Sequence, residues 1–267
     1  MLITLLTDFG TADYFVGAMK GAIFSVNPDA RVVDITHDIP AHDVQAGAWT
    51  LLAACQIFPT GSVHVGVVDP GVGSSRRPIL IAQRERFFVG PDNGLLSYLI
   101  DPEANPRVFH LTNERYFRRP VSATFHGRDI FAPVAAWLTR GVAPEEFGEP
   151  VANYTRLAAL TPVEGEGGVV EATIIHVDRF GNCITNITRR DLSEKAEAQG
   201  ACLIINNQEI RSFRRFFAEE AVAASQSTDE LFAVWGSAGF LEIAGFRRSA
   251  AGLLKAERGQ KVTLIAG

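Results

Sequence analysis

The chain has 267 residues, enough for one large domain or two smaller ones, each with its own core. Hydrophobic residues make up 47% and charged residues 21%, the balance of a soluble globular protein. A formal net charge of −5 argues against a nucleic-acid binder, and the basic pairs Arg118–Arg119, Arg189–Arg190 and Arg214–Arg215 are too short and scattered to read as anything but solvated surface. No apolar run approaches the ~20 residues that a membrane span needs. Met1-Leu-Ile-Thr-Leu-Leu6 reads as a strand rather than a secretory leader, so no membrane partner is expected. The three cysteines, Cys55, Cys183 and Cys202, form no CxxC pair, which argues against a disulfide framework or structural zinc and fits a reducing cytoplasm.

In chain order, Leu2–Leu6 predicts a first strand, ending at Thr7-Asp8, and Tyr14–Val26 a helix. A strand over Val32–Ile35, a helical stretch over Val44–Phe58 and a strand over Ser62–Val68 follow, the last running into Asp69-Pro70-Gly71. Strands near Ile79–Ala82 and Arg86–Val89 and a helix over Asp129–Thr139 complete a βαβ rhythm. That rhythm predicts an α/β layer domain over residues 1–160 with a largely parallel sheet. Thr161–Gly168, rich in glycine and charge, reads as a linker. Residues 169–267 carry short β-type segments at Val169–Val177, Cys183–Ile187, Ala201–Ile205, Leu231–Trp235, Phe240–Ala244 and Lys261–Ile265, which predict a small all-β barrel or sandwich domain.

Ligands of open α/β sheets bind beyond the carboxyl ends of the strands, where Asp8 and Asp69 are expected. A carboxylate there can accept hydrogen bonds from both hydroxyls of a ribose; alternatively it caps a helix or a turn. Asp69-Pro-Gly-Val-Gly-Ser-Ser-Arg76 lacks the spacing of a phosphate loop and the third glycine of a dinucleotide fingerprint. It does offer an acid and an arginine joined by a loop able to fold them together. His126, in Thr124-Phe-His-Gly-Arg-Asp129, stands beside a glycine just before a helix start, a setting open to a functional or a structural imidazole. His37-Asp-Ile-Pro-Ala-His-Asp43 has metal-type residues without HExxH spacing, and its acids equally suit a helix cap, so no metal is expected. In the second half, Asp178-Arg-Phe-Gly-Asn182 is either a hairpin turn or a site where Phe180 stacks on a planar base and Asn182 hydrogen-bonds to it. Ser237–Gly245 either presents backbone groups to a base edge or forms a turn and a strand.

Taken in order, these segments resemble the S-adenosyl-L-methionine (SAM) hydrolases, or SAM hydroxide adenosyltransferases, relatives of the fluorinases and chlorinases. The resemblance runs through Leu6-Thr-Asp-Phe-Gly10, Asp13-Tyr-Phe-Val-Gly17, Val68-Asp-Pro-Gly-Val-Gly73, Gly90-Pro-Asp-Asn-Gly94, Thr124-Phe-His-Gly-Arg-Asp129, Asp178-Arg-Phe-Gly-Asn182 and Leu241-Glu-Ile-Ala244. It implies a homotrimer in which SAM binds between the N-terminal domain of one subunit and the C-terminal domain of its neighbour. By the same resemblance Asp69, Arg76 and His126 form the catalytic triad of the hydrolases, which the halogenases lack, and Asp8 holds the ribose. Asp178, Phe180, Asn182, Ser237, Glu242 and Gly245 are the implied methionine and adenine contacts. Two departures stand out. Gly245-Phe246 replaces the family's common Val-Asn, which bears on adenine binding, and Ala238 stands where halogenases carry arginine.

The implied reaction is displacement at the ribose C5′ by water or hydroxide, giving adenosine and L-methionine. The sulfonium is an activated leaving group that departs neutral, so no general acid is required, and neither a metal nor an organic cofactor is expected. Arg76 is too basic to take a proton near neutrality but can stabilise developing hydroxide. His126, with an ordinary pKa near 6.5, is the natural proton acceptor, and Asp69 orients the water or stabilises the imidazolium; the sequence leaves open which of the three removes the proton. The alternatives are a SAM-dependent halogenase and a non-catalytic SAM- or adenosine-binding protein.

Overall fold

The computed structural model describes residues 1–165, 169–194, 197, 200–219 and 231–265. The chain divides into two compact units, Met1–Ala158 and Ala159–Gly267.

In the first unit, β1 (Leu2–Thr7), β2 (Arg31–Thr36), β3 (Val63–Val67), β4 (Pro78–Gln83), β5 (Arg86–Pro91) and β6 (Arg107–His110) form one sheet. Its order is β2-β1-β3-β5-β4-β6. Strands β2, β1, β3 and β5 run parallel, and β4 is antiparallel to both of its neighbours. Three helices cover it: α1 (Phe15–Val26), α2 (Val44–Cys55) and α3 (Ala132–Thr139). Met19 and Ile23 of α1 and Val134 and Leu138 of α3 pack with Ile3, Leu5 and Val65 on one face. Leu51 and Cys55 of α2 join Leu6, Ile81 and Phe88 on the other. Central strands clamped on both faces must be apolar nearly throughout, which is why β1 reads Leu-Ile-Thr-Leu-Leu-Thr and why every residue of β3 is buried. The order β2-β1-β3 sets the carboxyl ends of β1 and β3 side by side.

The helix expected over Asp129–Thr139 is present, and it opens with an irregular turn. Gly127–Phe131 forms a π-turn, with Ala132 N–H bonded to the Gly127 carbonyl, and the α-helix begins only at Ala132. Pro133 follows at once; it has no N–H for a regular i→i−4 bond, and a widened turn accommodates that gap.

In the second unit the strands are β7 (Val163–Glu164), β8 (Val169–Val177), β9 (Cys183–Thr188), β10 (Cys202–Ile205), β11 (Gln208–Ile210), β12 (Phe213–Arg214), β13 (Leu231–Trp235), β14 (Phe240–Gly245) and β15 (Lys261–Ile265). A short helix, α4 (Ala250–Leu254), precedes β15. The sheet runs β11-β10-β15-β8-β9-β14-β13-β12, with β7 paired to β8. Strand β8 serves two ladders. Val169–Thr173 pairs with β15 and Ile174–Val177 with β9, so one strand turns the corner and curls the sheet around a core of Ile174, Leu203, Leu241, Ile243 and Leu264. Part of the segment read as a linker is therefore strand, because Val163 and Glu164 pair with Glu171 and Val170; its residues 166–168 lie outside the described residues. Arg214, read as solvated surface, is buried with its guanidinium 4.1 Å over the Phe232 ring. Among the described residues no helix is long and apolar enough to cross a membrane.

One buried polar pair crosses the centre of the first sheet. His64 on β3 lies opposite Thr4 on β1, with its Nδ1 2.8 Å from Thr4 Oγ1 and its ring stacked 5.4 Å from Phe88. Burial, aided by the Arg86 charge, pushes its pKa down to about 4. An unfolded histidine titrates near 6.5, so the neutral ring's contribution to stability is complete above that pH and is lost as pH falls from 6.5 toward 4. His64→Phe should therefore close part of the gap to wild type as urea midpoints are followed from pH 7 to 4.5. Parallel midpoint curves for the two proteins would count against the buried neutral imidazole.

Candidate functional site

Asp8 follows β1 directly and Asp69 lies two residues beyond β3, so adjacent parallel strands deliver both carboxylates to one sheet edge. The chain after Asp69 folds back through Val72 N–H to Asp69 O (3.2 Å) and Ser74 N–H to Gly71 O (3.1 Å), while Arg76 N–H donates to Ser74 Oγ (3.2 Å). Gly73, at φ +77°, makes this possible: a Cβ there would stand 2.2 Å from the carbonyl oxygen of Ala123. The turn thus lies flat against the chain that leads to His126.

Folded this way, Arg76 grips Asp69 with two donors. Nε donates to Oδ1 at 2.9 Å and Nη2 donates to Oδ2. Nη2 also reaches His126 Nδ1 at 2.9 Å, and the Phe131 ring lies beneath the guanidinium at 5.4 Å. The pair is buried, with side chains 8% and 5% exposed, and Arg76 Nη1 is buried without a protein partner among the described residues. A guanidinium has only donors, so Nδ1 must accept and the neutral ring carries its proton on Nε2. Burial first, and then the Arg76 charge, holds the pKa of His126 below 6.5. This revises the expectation that His126 takes the proton from water. In this tautomer Nε2 is a donor with no free lone pair.

Asp8, Asp69 and His126 line one cavity of about 270 Å³, walled by Phe9, Phe15 and Phe125. Those rings pack edge to face or tilted at 5.3–5.8 Å. Asp8 Oδ2 accepts from the backbone N–H of His42, which adopts φ +68°. His37 and Asp43 of the His37–Asp43 cluster are engaged elsewhere. His37 Nδ1 is 2.9 Å from Thr7 Oγ1 and its Nε2 is 3.1 Å from Asp34, while Asp43 caps α2 through Ala46 N–H at 2.9 Å.

The remaining predicted residues meet in the second unit. Asp178, Phe180, Asn182, Ser237, Glu242 and Gly245 all line one cavity of about 850 Å³. Asp178 is a turn residue as well as a lining one: its carboxylate accepts from Phe180 N–H (2.9 Å), Asn182 N–H (2.8 Å) and Asn182 Nδ2 (2.9 Å). That turn leaves the Phe180 ring 78% exposed, free to stack on a ligand. Glu242 lies against Gly236, where a Cβ would approach its Oε1 to 1.8 Å; burial and the nearby Asp178 charge raise its pKa. Sequence reasoning missed Trp235, Arg247 and Arg248 in this cavity and the aromatic wall in the first. The phenylalanines were legible only as members of motifs, because no periodicity assigns them to a cavity.

Residues 3–148 match the SAM hydroxide adenosyltransferase N-terminal domain, and residues 172–263 match the C-terminal domain of the same family. The chain belongs to the SAM hydroxide adenosyltransferase family. It is 35% identical over 99% of its length to an (R)-S-adenosyl-L-methionine hydrolase of Methanocaldococcus jannaschii, covering 95% of that protein. A fluorinase of an Actinoplanes species is 28% identical, with 73% of this chain and 74% of the fluorinase covered. A crystal structure of an uncharacterized conserved protein from Thermotoga maritima superposes with a TM-score of 0.88 at 34% identity, covering 99% of this chain and 100% of that one.

In this family member the loop after β3 tolerates no side chain at position 73. Gly73→Ala combines a left-handed backbone with a backbone clash, and should lower unfolding free energy by about 2 kcal/mol or more. Calorimetry gives the answer directly; an unchanged melting temperature would mean that the Gly73–Ala123 approach is not a constraint.

Proposed function

We propose that the protein hydrolyses SAM at the ribose C5′, giving adenosine, L-methionine and a proton. The observation that carries this reading is a buried Asp69–Arg76–His126 constellation opening beside Asp8 in one cavity of a chain from the SAM hydroxide adenosyltransferase family. The relative's name specifies the (R) epimer at sulfur, and we extend that preference to this chain.

The reaction makes one C–O bond and breaks one C–S bond. Water attacks C5′, the C–S electron pair goes to sulfur, and methionine departs neutral at sulfur. His126 Nε2–H donates to the water oxygen and holds it in line. Positioning of this kind supplies up to about 7–11 kcal/mol of a barrier. As the C–O bond forms, the attacking oxygen becomes oxonium-like and its proton strongly acidic, so a weak base suffices. Asp69 takes that role, because each of its oxygens keeps a lone pair beyond the one given to Arg76. Arg76 holds the carboxylate and the imidazole together, so that both face the same water. Asp8 accepts hydrogen bonds from the ribose diol. Asp178, Phe180, Asn182, Ser237, Glu242 and Gly245 receive adenine and methionine, in line with their shared cavity. Neither metal nor organic cofactor has a step to perform, since the sulfonium is already activated. We further propose a homotrimer in which a neighbouring subunit completes each site, acting in the cytoplasm where the thiols of Cys55, Cys183 and Cys202 stay reduced.

Incubation with SAM should give equimolar adenosine and methionine, resolved by chromatography. Added chloride or fluoride should give no 5′-halo-5′-deoxyadenosine. Adenosine no higher than in a heat-killed control would end this reading, and consumption of only the (S) epimer would end the stereochemical part.

Arg76→Lys keeps the charge but cannot hold both Asp69 oxygens and His126. It and His126→Ala should lower kcat about 10²–10³-fold with little change in KM. Asp8→Ala should instead raise KM about tenfold or more, the worth of lost charged hydrogen bonds. Because the required His126 is neutral, turnover should be flat above pH 6.5 and fall only below it. A plateau that ends above pH 7 would contradict the neutral imidazole.

A further inference from the structure

A fully buried carboxylate stands behind His126. Asp129, three residues on and inside the π-turn, is 0% exposed, yet its oxygens take four hydrogen bonds. Oδ1 accepts from Arg118 Nη1 (3.2 Å) and Arg128 Nε (2.7 Å); Oδ2 accepts from Ser122 N–H (2.9 Å) and Arg128 Nη2 (2.8 Å). Its main chain closes the same loop, with its N–H on the Phe125 carbonyl (3.2 Å) and its carbonyl on the Arg118 N–H (2.8 Å). A carboxylate this buried is sustained only by such complete pairing. It draws Arg118, Arg128 and Ser122 onto the first turn of an irregular helix.

What this loop holds is the reaction centre. Ala123, between Ser122 and His126, is the backbone on which Gly73 rests, and Phe131, at the end of the same π-turn, lies under the Arg76 guanidinium. The two sides of the Arg76–His126 hydrogen bond thus meet through one clamp. We propose that Asp129 is a positioning residue of the catalytic centre, fixing the π-turn so that His126 Nδ1 faces Arg76 and Nε2–H faces the cavity. The proposal rests on the reading of His126 as part of the hydrolytic centre.

Charged and titratable groups facing His126 come from every side. Arg76 and Asp69 stand on the loop after β3, and Asp129 with Arg128 and Arg118 on the π-turn and its approach. Asp8 and His42 line the shared cavity from two other loops. Arg76 disfavours the imidazolium, while Asp69 and Asp129 favour it. Loss of the Asp129 charge should therefore move the acid limb of the kcat profile further down in pH, while the ring tautomer reads the positioning itself.

The test is Asp129→Asn in the full-length protein. We expect kcat for SAM to fall about a hundredfold, as for a misplacement of about 1 Å, with KM within about threefold. Nitrogen-15 spectra of the ring, assigned with His126→Gln, should show one Nε2–H tautomer in wild type and a tautomer mixture with a lower pKa in the variant. An unchanged tautomer, pKa and kcat would overturn the proposal. If Asp129→Asn does not fold, Arg118→Ala removes a single donor from a half-exposed side chain. It should lower kcat about three- to tenfold in the same direction, and no change in either kcat or tautomer would overturn the clamp. If wild type yields no adenosine from SAM, the hydrolase reading fails, while the ring spectra still decide whether Asp129 sets His126.

Discussion

The buried ion pair between Arg76 and Asp69 is the constraint around which the first unit is arranged. Two charges removed from water cost several kcal/mol each, and only near-complete pairing offsets that cost. Here the pairing is bidentate, a third donor direction is spent on His126, an aromatic ring covers the guanidinium from below, and Nη1 is left without a protein partner among the described residues. Such a pair tolerates little displacement. The tight turn at Gly73, the π-turn that begins at Gly127 and the adjacency of β1 and β3 all act to keep it in one geometry. The same pairing sets the protonation of the imidazole: because Arg76 can only donate, His126 accepts at Nδ1 and offers a donor from Nε2.

On the proposed reading, the chemistry divides between the units in a physically sensible way. The first unit holds fixed charge and a directed hydrogen bond in a small aromatic-walled cavity, where desolvation strengthens electrostatics. The second offers a larger cavity with an exposed aromatic ring, a turn carboxylate and a half-buried Glu242, features suited to recognising a base and an amino-acid moiety rather than to activating water. Glu242 is carried by an antiparallel strand and lodged against a glycine, so its position owes little to loop flexibility. Hydrolysis of an activated sulfonium needs such a division: strong recognition of a large cofactor-like molecule, and modest, well-aimed help for a single water.

The sequence made the sheet legible where burial dictates composition. The apolar runs of β1, β3 and β8 could hardly be anything else, and reading Asp8 and Asp69 as strand-end carboxylates followed from them. Hidden features were those decided by tertiary context. β6 is four residues long, β11 three and β12 two, too short for any periodicity to stand out. The π-turn follows from how Pro133, Asp129, its neighbour Arg128 and the more distant Arg118 fit together, and local propensity around Asp129 favours an ordinary helix start. The roles of Asp129 and Arg118 were missed for the same reason, since an Arg-Arg pair in sequence looks like surface until its partner is seen. The tautomer of His126 depends on a neighbour fifty positions away, Arg76, and only a folded geometry specifies it.

The most direct measurement is the fate of oxygen-18 when SAM is turned over in labelled water, read by mass spectrometry of both products. Attack of a held water on C5′ predicts one labelled oxygen in adenosine at its 5′-hydroxyl and none in methionine. Unlabelled adenosine, or label in methionine, would contradict the account.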